Sequence, residues 1–266
     1  MSGAANQVVG IAKRGLRDTF GLWPLFEARN RALLGHRLPA LRRFEDREVS
    51  RLSKQVGPLD ETLVSTVMPT YKRPELLVKA IESALAQTVT DQRVIVVDDG
   101  AGLPEKLPDD PRVVAVSLAR NTAVLGLVRN VGIRLTRSRY LAFLDDDNEW
   151  RSDHLEVALA ALDNGASIVY TAVERRLADG SLLDRLSVPF DRKTFADSSS
   201  YVDANSIVIR RDPSVLFSRI PRVKKTLPKE DWEFVHRMAK TRLIQHVPVP
   251  TVHYMVNQDS YYTDWK

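Results

Sequence analysis

The feature that most restricts the fold is an alternation of strand-like and helix-like segments that occurs twice between residues 62 and 147. TLVSTVMPTY (62–71) is an apolar run rich in β-branched residues that ends at Pro69. PELLVKAIESALAQT (74–88) follows, with Leu77, Ala80, Ile81, Ala84 and Leu85 at helical spacing and Pro74 suited to a first helical turn. RVIVVDDG (93–100) is a second β-branched run that stops at acids and a glycine. RVVAVSL (112–118), AVLGLVRNVGIRLT (123–136, with Leu127, Val131 and Leu135 on one face) and RYLAFLDDD (139–147) repeat the pattern. Right-handed crossovers between parallel strands are the expected geometry, which makes this an α/β chain. Open parallel sheets bind ligands at the carboxyl ends of their strands. Pro69–Tyr71, Asp98–Gly100 and the acids Asp145–Asp147 are therefore expected at one edge.

Three consecutive carboxylates repel one another unless positive charge lies between them. In an extended chain Asp145 and Asp147 share one side and Asp146 faces the other. Two converging carboxylates suit a hard divalent cation such as Mg2+ or Mn2+, which keeps waters and takes further ligands from substrate phosphates. The competing reading is a solvated strand end, or caps for the helix expected in SDHLEVALAALDNG (152–165), starting at Ser152 or Asp153.

A length of 266 residues with 44% hydrophobic and 27% charged residues supports a globular core in one large or two small domains. The absence of cysteine excludes disulfides, thiolate metal sites and thiol catalysis. MSGAANQVVGIAKRG lacks the pattern of a signal peptide, and no stretch approaches the ~20 apolar residues of a membrane span. A cytoplasmic location is expected, with peripheral contact at the inner face of the membrane as an extension of it.

Of the 39 Lys and Arg and 34 Asp and Glu, 11 and 6 lie within residues 1–60, so the whole formal charge of +5 is carried there. This segment interleaves Leu16, Phe20, Trp23, Phe26 and Leu33 with Lys13, Arg14, Arg17, Arg29, Arg31 and Arg37, and predicts amphipathic helices broken near Pro24 and Pro39. Such helices pack on their own domain, on a second subunit, or on an anionic membrane surface. Nucleic acid is not an expected partner, because the basic residues form no dense tract and no binding motif accompanies them.

In this order, VSTVMPTYKRPELLVKAIESALAQT, VIVVDDG, VRNVGI, YLAFLDDDNEW and EDWEF resemble the nucleotide-sugar glycosyltransferases of the GT-A fold, and within them glycosyltransferase family 2, over residues 62–260. The resemblance implies a Rossmann-like, mostly parallel central sheet flanked by helices. It divides the chain into a basic helical extension (1–60) and a GT-A domain (61–266), with a donor half (61–150) and an acceptor half (151–266).

It also implies roles. Pro69, Tyr71, Asp98 and Asp99 would hold the nucleotide base and ribose. A carboxylate that accepts the uracil N3–H favours UDP, with GDP or dTDP as alternatives. Arg129 would lie near the diphosphate, with Asp145 and Asp146 beside the donor. Asp147 and Asp145 would hold the Mn2+ or Mg2+ ion. Many relatives carry a late histidine; HYMVNQDS (253–260) has Met255 and Asn257 in that region, which leaves His253 as the candidate further ligand.

LPKEDWEFVHRMAK (227–240) predicts a helix starting at Pro228, with Trp232, Val235 and Ala239 able to face the core. The resemblance makes Asp231 the catalytic base; compensation of the helix dipole is the other reading of Glu230 and Asp231. Residues 170–212 predict a hairpin around ADG and a further strand. Asp203, Asn205, Glu230 and Trp232 are the candidate acceptor contacts.

The implied reaction is inverting, metal-assisted transfer of a sugar from a nucleotide-diphosphate donor to a hydroxyl of a glycan, a lipid-linked intermediate or a small molecule. The alternative is a catalytically silent nucleotide-sugar-binding or docking subunit. A sugar nucleotidyltransferase would need a glycine-rich phosphate loop after Met68, and an aspartyl phosphatase would need its acids at the first strand; neither is present.

Overall fold

The computed structural model describes residues 19–197, 200–222 and 227–256. Lys13, Arg14, Leu16, Arg17 and Asn257 lie outside them. Among the described residues the β-branched runs form one nine-stranded sheet. Strands β1 (Thr62–Thr70), β2 (Gln92–Asp98), β3 (Val113–Ser117) and β4 (Ser138–Phe143) are parallel in the order β3-β2-β1-β4. Thr70 pairs with Asp98 and Asp98 with Ser117, so the carboxyl ends lie level. The rest of the sheet comprises β5 (Asn148–Trp150), β6 (Ile168–Arg176), β7 (Leu182–Leu186), β8 (Ile207–Arg210) and β9 (Ile244–Met255). β8 joins β4 antiparallel, followed by β6, β9 and β5, while β7 forms the expected hairpin with β6. This is the anticipated mostly parallel α/β sheet with a mixed second half.

The helices are α1 (Leu22–Leu34), α2 (Leu38–Val56), α3 (Pro74–Leu85), α4 (Leu125–Leu135), α5 (His154–Asp163), α6 (Arg192–Ala196) and α7 (Glu230–Met238). α3 buries Leu77, Ala80, Ile81 and Ala84, the stripe its periodicity predicts. α4 lies so close to the sheet that a Cβ on Gly132 would stand 2.6 Å from a Val67 methyl. Only glycine permits that approach.

Several boundaries differ from expectation for local reasons. β4 stops at Phe143, and the acids form a turn into β5, because consecutive carboxylates cannot continue a buried ladder. α7 starts at Glu230 rather than Pro228. Pro24 and Pro39 fall in the first turns of α1 and α2, where a missing N–H is harmless, so the breaks precede them.

α1 and α2 are built into the cores on one side of the sheet. Trp23 is buried edge-on against Trp232, with ring centroids 5.4 Å apart. Phe44 and Leu52 pack with Val97, Val116, Leu127 and Val131. The acids of these helices turn inward. Glu45, fully buried, accepts from Arg134 at 2.9 Å and from both ends of the Arg219 fork at 2.6 Å. Glu27 binds Arg31 and Arg222, and Glu48 accepts from Arg51 and the Ala119 N–H.

Glu45→Ala leaves two guanidinium groups facing a cavity and is expected to cost about 3 kcal/mol, read from urea unfolding of the full chain. Removal of residues 1–58 strips Trp23, Phe44 and Leu52 from their cores, and is expected to lower the melting temperature sharply or abolish soluble expression.

Candidate active site

The level strand ends open into a cavity of about 560 Å³, which the start of α7 and Tyr201 also line. Pro69, Tyr71, Asp99, Arg129 and all three acids of the 145–147 turn line it, together with Asp203, Glu230 and Asp231. Residues expected at one edge from strand order alone therefore share one space with residues from the second half of the chain.

The two acids after β2 have different tasks. Asp98 does not line the cavity; its Oδ2 accepts from the N–H groups of Ala101 and Gly102 at 2.8 Å and from Ser117 Oγ at 2.6 Å, which shapes the loop. Gly100 has φ +76°, and a Cβ there would meet the Arg120 carbonyl carbon at 2.2 Å. Asp99 lines the cavity. Its Oδ1 accepts from the Thr122 N–H at 2.9 Å and hydroxyl at 2.8 Å, and its Oδ2 from the Ala123 N–H at 2.9 Å. Burial pushes its carboxyl up against the opposing pull of Thr122.

The 145–147 turn is held by arginine and asparagine. Asp145 accepts from Arg129 Nη2 at 2.5 Å and Asn205 Nδ2 at 3.2 Å, while its own N–H donates to Asn205 Oδ1 at 2.5 Å. Arg129 is buried, lies 5.0 Å from the Phe217 ring centroid, and donates also to Glu230 at 3.2 Å. Burial alone would lower its pKa, but Asp145, Glu230 and Asp231 more than reverse this and keep it charged.

Asp146 clamps the turn after β1. It accepts from Thr70 Oγ1 at 2.7 Å, the Tyr71 N–H at 3.4 Å and Arg73 Nη1 at 3.2 Å. Asp147 accepts from the same Arg73 nitrogen at 2.6 Å and from Asn148 Nδ2 at 3.3 Å. Burial, then Asp145, raise its pKa to about 6 against the pull of Arg73.

Asp231 sits buried in the first turn of α7. Its Oδ1 accepts from the Trp232 N–H at 2.8 Å, and its Oδ2 accepts from the Tyr201 hydroxyl. Burial raises its carboxyl to about 7, opposed by Arg129. Asp203, also buried, accepts from Asn205 N and Nδ2 at 2.8 and 2.6 Å, and burial followed by Asp145 lifts it to about 6.

Asn205 is thus a brace between Asp203 and Asp145 and does not line the cavity. Trp232 is fully buried, donates through Nε1 to the Phe195 carbonyl at 2.8 Å, and stacks on Phe195 and His236 away from the cavity. His253 does not line it either; its Nε2 lies 3.7 Å from Glu174, while its neighbour Tyr254 faces the cavity. Alternation along β9 separates the two.

Sequence reasoning did not single out Arg73, Tyr201, Arg222, Lys229 or Tyr254, all of which line the site. The basic pair after Tyr71 was the available signal for Arg73, since clustered acids demand positive charge. Tyr201 and Tyr254 come from irregular or distant segments with no local mark.

Among the described residues no group of three or more His, Cys, Asp and Glu side chains can hold a metal unaided. A hard cation that takes its other ligands from diphosphate and water needs only one or two carboxylates. Seven carboxylates line this cavity against four cations, Arg73, Arg129, Arg222 and Lys229, so negative charge is in excess there. Asp145 and Asp147 fit a divalent ion on both counts.

Comparison with known proteins agrees with this geometry. The profile of the family described as glycosyl transferase family 2 matches residues 65–219. The chondroitin synthase of Escherichia coli is 31% identical over 159 residues, covering 57% of this chain and 22% of that protein. The UDP-Glc:alpha-D-GlcNAc-diphosphoundecaprenol beta-1,3-glucosyltransferase WfgD of Escherichia coli is 28% identical over 117 residues, 42% of this chain and 46% of that one. The chain therefore matches less than half the length of either relative. Among solved structures, S. aureus TarS 1-349 in complex with UDP-GlcNAc superposes with a TM-score of 0.57 at 16% identity, over 77% of this chain and 61% of that one, a likeness of fold. With the family profile covering more than half of its length and a GT-A sheet carrying the acidic turn at its carboxyl edge, this chain belongs to glycosyl transferase family 2.

Proposed function

We propose that this chain transfers a sugar from a UDP-sugar to an acceptor hydroxyl with inversion at the sugar carbon. The observation that carries the reading is Asp231: a buried carboxyl raised to about 7, lining the same cavity as Asp99, Arg129 and the 145–147 turn. A general base is most effective with a pKa near the working pH. The donor of WfgD, named UDP-Glc, supports UDP as the carrier.

In this mechanism Asp99 and the Pro69–Tyr71 turn hold the nucleotide. Among the described residues Asp99 Oδ2 takes one donor, the Ala123 N–H, and a further lone pair would accept a uracil N3–H. Arg129, fixed and charged, faces the diphosphate. Asp147, with Asp145, would hold Mn2+ or Mg2+, which supplies Lewis-acid stabilisation of the departing diphosphate. Tyr201 orients Asp231, which accepts the acceptor's proton as its oxygen attacks the anomeric carbon. One base suffices because the displacement is direct. Glu230 and Asp203, which line the cavity, would meet acceptor hydroxyls. A silent binding subunit would need the donor pocket but not a base with a raised pKa, and Asp231 favours the enzyme.

The partner proposal concerns α1 and α2. With Glu27, Glu45, Asp46 and Glu48 engaged by arginines, the exposed cations Arg29, Arg37, Arg43 and Arg47 face outward with no ion pair among the described residues. Phe26, Arg29 and Leu33 recur at three- and four-residue spacing on one face of α1, and Phe20 and Leu33 are each 56% exposed. That pattern suits the surface of an anionic bilayer on the cytoplasmic side, where a lipid-linked acceptor would be presented. No helix among the described residues is long and apolar enough to cross a membrane.

Asp231→Asn is expected to lower kcat by about 10²- to 10⁴-fold with UDP binding unchanged. In the wild type, kcat/KM should rise with pH through about 7, because only the ionised carboxylate accepts a proton; this limb should vanish in the variant. UDP with Mn2+ should raise the melting temperature of the wild type but not of Asp147→Ala. No shift with any nucleotide, in folded protein, would refute the donor site.

The full chain should sediment with phosphatidylglycerol-containing vesicles and not with phosphatidylcholine alone. Phe26→Ser with Leu33→Ser should release it. Equal sedimentation of the double variant would remove the bilayer assignment.

A further inference from the structure

Arg73 is the residue immediately before α3 and follows Lys72, whose φ is +58°. Its side chain is 40% exposed and lines the cavity, with Nη1 bonded to both Asp146 Oδ1 and Asp147 Oδ2. The two contacts differ in what would follow from their loss. Asp146 retains Thr70 Oγ1 and the Tyr71 N–H, so the clamp between the two turns survives without Arg73. Among the described residues Asp147 has only Asn148 Nδ2 besides, at 3.3 Å and on its other oxygen.

A divalent cation at Asp147 Oδ2 would stand beside a guanidinium already 2.6 Å from that oxygen. The two positive groups compete for one carboxylate. The competitor is not fixed in the manner of Arg129, whose side chain is 2% exposed. It is a long, partly solvated arm in the same cavity, and a diphosphate is a better partner for its fork than a carboxylate shared with Asn148.

We propose that Arg73 is a positioning residue that closes Asp147 to divalent cations until the donor's diphosphate draws its guanidinium away, so that metal and nucleotide bind as a coupled pair. The proposal rests on the reading of Asp147 as a metal ligand and of the cavity as the nucleotide site. Coupling of this kind is reciprocal: the factor by which UDP tightens the metal is the factor by which the metal tightens UDP.

The test is Mn2+ binding to the full chain, followed by the electron paramagnetic resonance of free Mn2+, with and without UDP, for wild type, Arg73→Gln and Asp147→Asn. Arg73 is on the surface of the cleft, and a melting temperature for each protein confirms folding. The wild type is expected to bind Mn2+ at least tenfold more tightly with UDP than without. Arg73→Gln should bind Mn2+ about tenfold more tightly than wild type in the absence of UDP, should bind UDP alone more weakly, and should lose most of the coupling. Asp147→Asn should bind Mn2+ in neither state.

Equal UDP-free Mn2+ affinity in wild type and Arg73→Gln, with UDP-loaded wild type binding normally, overturns the competition while leaving the metal site in place. Absence of Mn2+ binding by UDP-loaded wild type overturns the metal reading itself and the competition with it.

Discussion

A buried guanidinium ties the acidic turn of this molecule to the helix that carries the candidate base. Arg129 projects from α4, a helix of the first βαβ half, and bonds Asp145 at the end of β4 and Glu230 at the start of α7. Its charge is sustained by three carboxylates against a burial that would otherwise depress it. Those carboxylates belong to segments 85 residues apart in sequence, so the position of Asp231 relative to the acidic turn depends on Arg129 remaining charged and in place. Loss of the guanidinium would leave the buried Asp231 and the partly buried Asp145 and Glu230 without their shared cation, an arrangement costlier than the loss of an exposed pair.

Around that link the site is built from carboxylates that have more acid neighbours than cations. Asp146 spends its oxygens on the turn after β1, Asp203 and Asn205 steady Asp145, and Asp147 and Asp231 are left with raised pKa values at opposite functional ends. The excess of carboxylates favours a divalent ion at the turn, while burial, opposed by Arg129, brings the pKa of the base near neutrality. The helices ahead of the domain follow the opposite rule, with their acids buried on arginines of the sheet side and their cations left outside.

Much of this was legible beforehand. Strand order put Pro69, Asp99 and Asp145–Asp147 on one edge because parallel βαβ units leave no other place for the ends of their strands. The family motifs named Asp231 and Arg129, and the structure places both in the cavity. Trp232, Asn205 and Asp98 were harder, since a motif marks that a residue is used but not whether its side chain faces ligand or protein. Trp232 packs inward as its helical spacing with Val235 indicates, and Asn205 meets Asp145 through a contact sixty residues distant in sequence.

The sequence by itself determined the α/β class, the family, the location of the acidic turn and the uneven charge of the first sixty residues, because these follow from periodicity, local motif and composition. Only the tertiary structure decided which acids are consumed by protein donors and which remain for chemistry. It also decided that Arg73 and Arg129 neutralise different members of one turn, and that Tyr254 rather than His253 faces the cavity. Those are outcomes of burial and of pairing between distant segments, where a difference of one residue in strand register or a few ångströms of approach changes the partner. No local pattern encodes them.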